Sequence, residues 1–324
     1  MNKKTKRYSA LALLLAGVSI TPHTAKADYT SYISGTNPVG WWSMNETSGT
    51  TTADLSGAYG TANNMTAGGT FNGTAVYPGG APDPLGARNL DITYGANALI
   101  NQTGSEAVAL GMVAGNKSAY FDGTNLAAGY AHGSGPNNQA FSGAIYAFDA
   151  TTGYTGLSIE IWAKTDGALN QDSERFIGNR AWGFGFTSGG GNFGSLHFTT
   201  FGKTDYIAGV MPSDNAWHQF GVTWTAGTGD VAFYIDGAPA GTAAGQGALI
   251  AINPASIANE IVIGGRVNTQ YFKGNLDEAV IWDHPRTATD YSNSYTAATT
   301  AVPEPGSLAL LGVGALTMIR RRRK

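Results

Sequence analysis

The stretch Leu157–Lys164, "LSIEIWAK", sets Leu157, Ile159 and Ile161 at every second position, with Ser158, Glu160 and Trp162 between them. A period of two lines one face of a strand; a helix would need apolar residues three and four apart. The same alternation returns in "AWHQFGVTW" (216–224). In "DVAFYIDGAPAG" (230–241) a strand runs into Asp236-Gly237, a hairpin-turn pair, and then a short return strand. "EIVIGG" and "NLDEAVIWD" read as two later strands, and "PVGWWSMNETSG" and "KSAYFDG" as two earlier ones. Only "RTATDYSNSY", after Pro285, suits a helix, as a single turn capped by Thr287 or Thr289. Strands of this length separated by turn signals predict an all-β fold, two antiparallel sheets packed face to face. Two stretches rich in Gly, Asn and Thr, at about 51–116 and 124–155, read as long loops that are functional, flexible or hide short strands.

The two ends of the chain differ from this middle. Met1–Arg7 holds four basic residues, Leu11–Ile20 is apolar or small, and Ala25-Lys26-Ala27 is a small-x-small site. That order predicts an export signal spanning residues 1–27, too short in its apolar part to span a bilayer. The other end reads "VPEPGSLALLGVGALTMIRRRRK": Pro303, Glu304 and Pro305, then thirteen uncharged residues from Ser307 to Ile319, then four Arg and a Lys. As a helix the uncharged run would rise about 20 Å, against a hydrocarbon core of about 30 Å. It is apolar enough to pause in a membrane with its basic cluster on the cytoplasmic side. The prolines keep Glu304 in extended chain just outside it. A processing enzyme can read a motif displayed in this way.

Removing both ends leaves 28–302 as the expected folded domain. Five of the nineteen Lys and Arg lie in 1–27 and five in 320–324, and only Glu304 is lost from the twenty-two acids, so the middle carries about −12. Such a field repels nucleic acid and anionic lipid and suits divalent cations. The chain has no cysteine, so an exported domain must hold itself by its core, helped by any metal it binds.

Two resemblances follow from these residues. The Val-Pro-Glu-Pro, the apolar run and the terminal Arg cluster resemble the PEP-CTERM sorting signal of Gram-negative bacteria, although the apolar run is short for that family. The resemblance implies recognition of Pro303-Glu304-Pro305 by an exosortase-type membrane protease. It also implies removal of the tail and delivery to the cell surface or exopolysaccharide matrix, with transient membrane contact by 303–324; the alternative is a tail retained as a permanent anchor. The segments "VGWWSMNETSG", "KSAYFDGTN", "LSIEIWAKTDG", "AWHQFGVTWTAGTGDVAFYIDGAPAG", "IVIGG" and "FKGNLDEAVIWDHPRTATD" occur in the order of the laminin-G-like, concanavalin-A-like jelly roll, and resemble it across most of 38–292.

Glycoside hydrolases of that fold place two carboxylates on one strand face. Here Glu160 stands alone in its strand, and adjacent Asp277 and Glu278 would point to opposite faces of a regular strand. His132, His197, His218 and His284 lack zinc spacing, and His218 follows Trp217 in the "WH" strand pattern of the jelly roll, which implies a structural role. No catalytic residue is assigned. The resemblance does imply a structural calcium, held by Asp277 in the last strand with carbonyls near Gly115 and Trp41; the oxygen donors suit that ion. Glycan binding needs exposed aromatic rings with amide or charged groups beside them. Asn179, Arg180, Trp182, Tyr206 and Tyr271 are the candidates, with the reservation that Trp182, Phe184 and Phe186 share one face, for which core is the favoured reading because aromatics so often fill sandwich interiors. The expectation is an exported, non-catalytic domain that binds a surface glycan or exopolysaccharide. The alternatives are a divergent hydrolase or lyase of the same fold, and a protein-binding adhesin. Trp217 and Trp224 are seven apart and so on opposite faces of a regular strand; the resemblance to the jelly roll implies that Trp217 is the inward one.

Overall fold

The computed structural model describes residues 29–44, 155–167, 173–178, 182–187, 194–200, 204–245, 262–265 and 270–299, together with short strands and turns between 51 and 132. The elements begin with helix α1 (Tyr29–Ser34) and strand β1 (Gly40–Trp42). Six short strands follow: β2 (Thr51–Thr52), β3 (Met65–Ala67), β4 (Gly69–Phe71), β5 (Leu90–Ile92), β6 (Ile100–Thr103) and β7 (Lys117–Asp122). Next come β8 (Tyr130–His132), β9 (Gly156–Thr165), β10 (Ser173–Gly178), β11 (Trp182–Thr187), β12 (Ser195–Thr200) and β13 (Thr204–Ala208). The chain closes with β14 (His218–Thr225), β15 (Val231–Ile235), β16 (Ala238–Ala243), β17 (Val262–Ile263), β18 (Lys273–Trp282) and helix α2 (Ala288–Thr299).

Two large sheets form the expected sandwich. The first runs β16-β15-β14-β9-β18-β7-β6, with β1 also paired to β18. The second runs β13-β12-β11-β10-β17-β8-β3-β2, and β4 pairs with β5 separately. Every described pairing is antiparallel, as β9 with β14 and β11 with β12 illustrate. Asp236 and Gly237 both have positive φ, 52° and 74°, the geometry of the turn that joins β15 to β16. Strands β2 to β6 and β8 lie inside the stretches read as long loops, which therefore contain short strands.

Alternation decides which side chains meet. Leu157, Ile159 and Ile161 of β9 and Phe220, Val222 and Trp224 of β14 face inward. There they join Phe176, Phe184, Phe186 and Phe198 of the second sheet. Phe176 alone touches four other Phe rings, at centroid distances of 4.4–5.6 Å. The other face of the first sheet is also covered. Trp41, Trp162, Val280 and Trp282 pack there with Tyr29 and Ile33 of α1 and Ala298 of α2.

The register separates the two tryptophans of the β14 segment as their spacing requires, but with the sides exchanged. Trp224 is in the inner core, while Trp217 is only half-buried, against the outward cluster. Val222 and Phe220 continue the inward parity of Trp224, which places Trp217 on the outer side.

Helix α2 is twelve residues long, three times the expected turn or more. Thr287 caps it: Asp290 N–H points to Thr287 Oγ1, and Asp290 Oδ2 accepts from Thr287 N–H at 2.8 Å. Its buried stripe is Tyr291, Ser294, Ala297 and Ala298, a helical spacing written in small and polar residues that a search for apolar periodicity passes over. The Tyr291 ring lies on Gly221, where a Cβ would come within 2.4 Å of it, and its hydroxyl donates to Val222 O at 2.8 Å.

Candidate functional site

Three polar regions lie outside the inner core. The first is the outward face of the first sheet, beneath α1 and α2. Glu160 is fully buried there, and its Oε1 accepts from the Tyr29 hydroxyl at 2.8 Å and the Ser294 hydroxyl at 2.6 Å. Burial raises its carboxyl above the ordinary carboxylate range, against the pull of those bonds and of the Arg286 charge. Arg286 lies over the Trp282 ring at 4.1 Å and donates to the Tyr32 hydroxyl at 3.1 Å.

Asp277 and Glu278 belong to this face too, contrary to the alternation expected of them. Asp277 pairs with Trp162 and Val280 with Glu160, so β18 spends one extra residue against β9. Glu278 occupies that bulge with φ 49°. Its inward neighbours are Leu276 and Ala279, which leaves both acids outward. Asp277 Oδ1 accepts Glu278 N–H at 2.9 Å, and Glu278 Oε2 accepts Trp41 Nε1–H at 2.6 Å. These bonds hold a left-handed residue that costs about 1 kcal/mol without glycine. The bulge also falls where β18 changes partner, from β7 (Lys273–Leu276) to β1 (Ala279–Ile281). Asp277 therefore lies where the last strand passes from one early strand, β7, to the other, β1. The buried Tyr29 hydroxyl feels all three acids, and burial together with their charge raises it well above its ordinary value.

The second region is the outward face of the second sheet. Arg175 is buried; its Nη1 donates to Phe186 O at 3.0 Å and its Nη2 to His197 Nδ1 at 2.9 Å. An arginine only donates, so Nδ1 accepts and the His197 proton sits on Nε2. Nε2 lies 3.1 Å from Asp205 Oδ1 in a geometry that falls short of a hydrogen bond. Burial first, then the Arg175 charge, lower the His197 pKa to about 4. Asp205, which also accepts from the Thr199 hydroxyl, is mostly exposed and leads this chain to solvent.

The third region is the end of the first sheet where β9 finishes and β14 and β18 begin. His218 pairs with Ala163, and Asn275 with Lys164. Continuing the register one residue sets Trp217, Lys164 and Asn275 in one row across three strands. All three are half-buried. Asn275 Nδ2 donates to Ser118 Oγ at 3.2 Å. Tyr271, also half-buried, precedes β18 at this end, where Lys273 Nζ lies 3.7 Å from Asp166 Oδ2. Asn215 Oδ1 accepts Gly167 N–H from the neighbouring loop at 3.3 Å.

The residues singled out for glycan contact divide accordingly. Trp182 and Tyr206 are core residues, 0% and 2% exposed, and are withdrawn as stacking platforms: the period two that grouped Trp182 with Phe184 and Phe186 is the inward parity of β11. Tyr271 stands at the rim as expected. Asn179, Arg180, Gly115, the segment 1–27 and the motif Pro303-Glu304-Pro305 lie outside the described residues. Asp277 is in the last strand, as expected, and buried. Among the described residues no three His, Asp or Glu gather as a metal group, and no helix is long and apolar enough to cross a membrane. Sequence reasoning missed Arg175 and Asp205; the signal was the polar parity of "SLHFTT", in which His197 alternates with Leu196 and Phe198.

Comparison with known proteins agrees with this architecture. Domain 4 of AbnA, an extracellular arabinanase of Geobacillus stearothermophilus solved with arabinotriose, is 15% identical, with TM-score 0.49, over 80% of this chain and 98% of that one. A solved receptor binding domain gives TM-score 0.51 at 12% identity, over 84% of this chain and 53% of that one. The binding domain of botulinum neurotoxin DC, solved with rat synaptotagmin II, gives 0.49 at 12%, over 81% and 52%. The chain spans about half the length of these two binding domains. No curated protein matches it. Residues 140–290 match the concanavalin A-like lectin/glucanases superfamily and residues 301–324 the PEP-CTERM protein-sorting motif, a signal for export and exosortase-dependent surface sorting. The chain thus folds as a two-sheet antiparallel β-sandwich, matches the concanavalin A-like superfamily over residues 140–290, and carries a PEP-CTERM sorting motif at 301–324.

Proposed function

We propose that this is a surface or extracellular-matrix protein that binds a glycan or exopolysaccharide without cleaving it, and that the Trp217–Lys164–Asn275 row with Tyr271 is the binding end. The observation that carries this reading is one register row holding a half-buried aromatic ring, an ammonium and an amide, with half-buried Tyr271 four residues before Asn275 on the segment that leads into β18. A ring face stacks on sugar C–H groups, and the amide and ammonium take hydroxyls. With strands about 4.8 Å apart, the row is about 10 Å long, on the scale of a short oligosaccharide. The acids support binding over cleavage. Glu160, Asp277 and Glu278 share a face, but they are 0%, 2% and 3% exposed beneath the helices, away from any polymer.

The sorting motif supplies the destination. Processing near Pro303–Pro305 would leave α2 as the last element of the released protein, and mass spectrometry of surface material should find a C-terminus there. Intact Arg320–Lys324 in the bulk of that material would instead make the tail a permanent anchor.

A structural calcium at the β18 bulge belongs to the same reading. Two buried carboxylates at the junction of β1, β7 and β18 offer the oxygen donors that calcium takes, and Asp277 with Glu278 would hold it. Bound there, the ion would offset their buried charge and tie the last strand to the early ones.

The glycan reading is tested with an array of bacterial polysaccharides, probed with the full chain with and without calcium. Retention of a defined glycan supports it. Release of shortened product would favour a hydrolase, and capture of surface proteins alone would favour an adhesin.

A further inference from the structure

His218 opens β14 just after residues 209–217, the segment that crosses from β13 of the second sheet to the first. Its Nδ1 lies 2.7 Å from Asp236 Oδ2 and its Nε2 2.9 Å from Asp214 Oδ1. A carboxylate only accepts, and a neutral imidazole carries one N–H. Two such bonds at once require a proton on each nitrogen, which is the imidazolium.

Both carboxylates are themselves held. Asp236 Oδ1 accepts Gln219 N–H at 3.0 Å from within the β15–β16 turn, and Asp214 Oδ1 accepts Ala216 N–H at 2.9 Å. The other groups around the ring are few. Tyr295 of α2 packs over Gly237 and feels the Asp236 charge, Phe220 lies 6.1 Å away, and β9 brings Ala163 opposite, flanked by Lys164. The two carboxylates dominate this surrounding.

We propose that His218 is a proton-dependent clasp that fastens the 209–217 segment to the β15–β16 turn while protonated and releases it when the proton leaves. On deprotonation one of the two carboxylates loses its donor. Asp214, 58% exposed, has water to replace it, whereas Asp236, 29% exposed, stays tied to Gln219; the Asp214 side therefore opens. Consistent with this, the Asp236 hydrogen bond, followed by that of Asp214 and both charges, outweighs burial and raises the His218 pKa above its ordinary 6.5. The raised value means that the clasp is complete below 6.5 and is lost as pH climbs through the folded value. Trp217 adjoins the clasp, so loosening would reach the proposed binding end. That consequence rests on the glycan reading; the clasp does not.

The test follows the histidine ring signals of the full chain by NMR through a pH titration, with His218→Gln to assign the resonance. Hydrogen exchange at Val210–Trp217, corrected for intrinsic pH dependence, is read alongside. His218 is expected to titrate above 6.5, Asp214→Asn to shift it down, and exchange to rise across the wild-type titration but to be high at every pH in Asp214→Asn. Asp214 is a surface residue, so that variant keeps the test open if His218→Gln fails to fold. Titration at or below 6.5, an unmoved value in Asp214→Asn, or flat wild-type exchange would each overturn the clasp. Neither readout involves a sugar, so failure here and failure of the glycan reading are separate results.

Discussion

On the outward face of the first sheet, burial raises the Glu160 carboxyl above the ordinary carboxylate range; on the outward face of the second, burial and the Arg175 charge lower His197 to about 4. The two faces of one sandwich therefore answer acid in opposite ways. A raised acid contributes stability that is full below its unfolded value, 4.5, and is lost as pH rises through the folded one. A lowered histidine contributes stability that is present above 6.5 and is lost as pH falls toward about 4. The physical difference is what covers each face. Two helices seal Glu160 with hydroxyl donors and a single nearby arginine, while His197 has a guanidinium filling its only basic nitrogen and an exposed Asp205 beyond it. The first face works as the joint that fastens α1 and α2 to the sheet. The second is a polar chain that runs out to solvent.

The sharpest way to break this inside-and-outside picture is on β14 itself. Trp224→Ala empties a site in the inner core and should cost about 3–5 kcal/mol in denaturant unfolding. Trp217→Ala, on the half-buried outer side, should cost much less. Equal losses would mean that the two sides are not distinct.

The pH contrast comes next in size. Between pH 6.5 and 4 the His197 linkage should remove about 3 kcal/mol from wild-type stability, and His197→Gln should flatten that part of the profile. Glu160→Gln should leave the acid limb in place and remove a loss on the other side, above 4.5. If both variants changed the same limb, the faces would not be opposed.

Calcium offers a smaller effect. If the bulge holds the ion, a hundredfold excess over Kd adds about 2.7 kcal/mol, so chelation lowers Tm and calcium restores it. Sodium at matched ionic strength is the control, because any salt screens a charge near −12. Asp277→Asn should abolish the specific response; a response that persists would move the site elsewhere.

Much of the sandwich was legible because its strands are written at period two: β9, β14, β15, β16 and β18 lie where alternation puts them. What escaped has physical reasons. Alternation gives parity without direction, so it does not tell whether Trp182 and Tyr206 face inward, and the jelly-roll pattern that favours Trp217 as the inward tryptophan does not hold in this register. The β18 bulge is invisible to a regular period, so Asp277 and Glu278 were split between faces that they in fact share. Helix α2 buries Tyr, Ser and Ala, which carry little apolar signal. The Arg175–His197–Asp205 chain joins three strands through register, which local pattern does not encode. Tyr271, just before β18, and Asp277, within it, lie where the strand reading of "NLDEAVIWD" puts them.

Binding tests the central claim most directly. The full chain, its Trp217→Ala/Tyr271→Ala variant and its Asp205→Asn variant would be measured against polysaccharide released by the cells that export it. The account predicts that wild type and Asp205→Asn bind alike while the aromatic double variant, still folded by circular dichroism, loses at least tenfold in affinity, about 1.4 kcal/mol. Unchanged binding by the double variant, or no binding by the wild type, would contradict it.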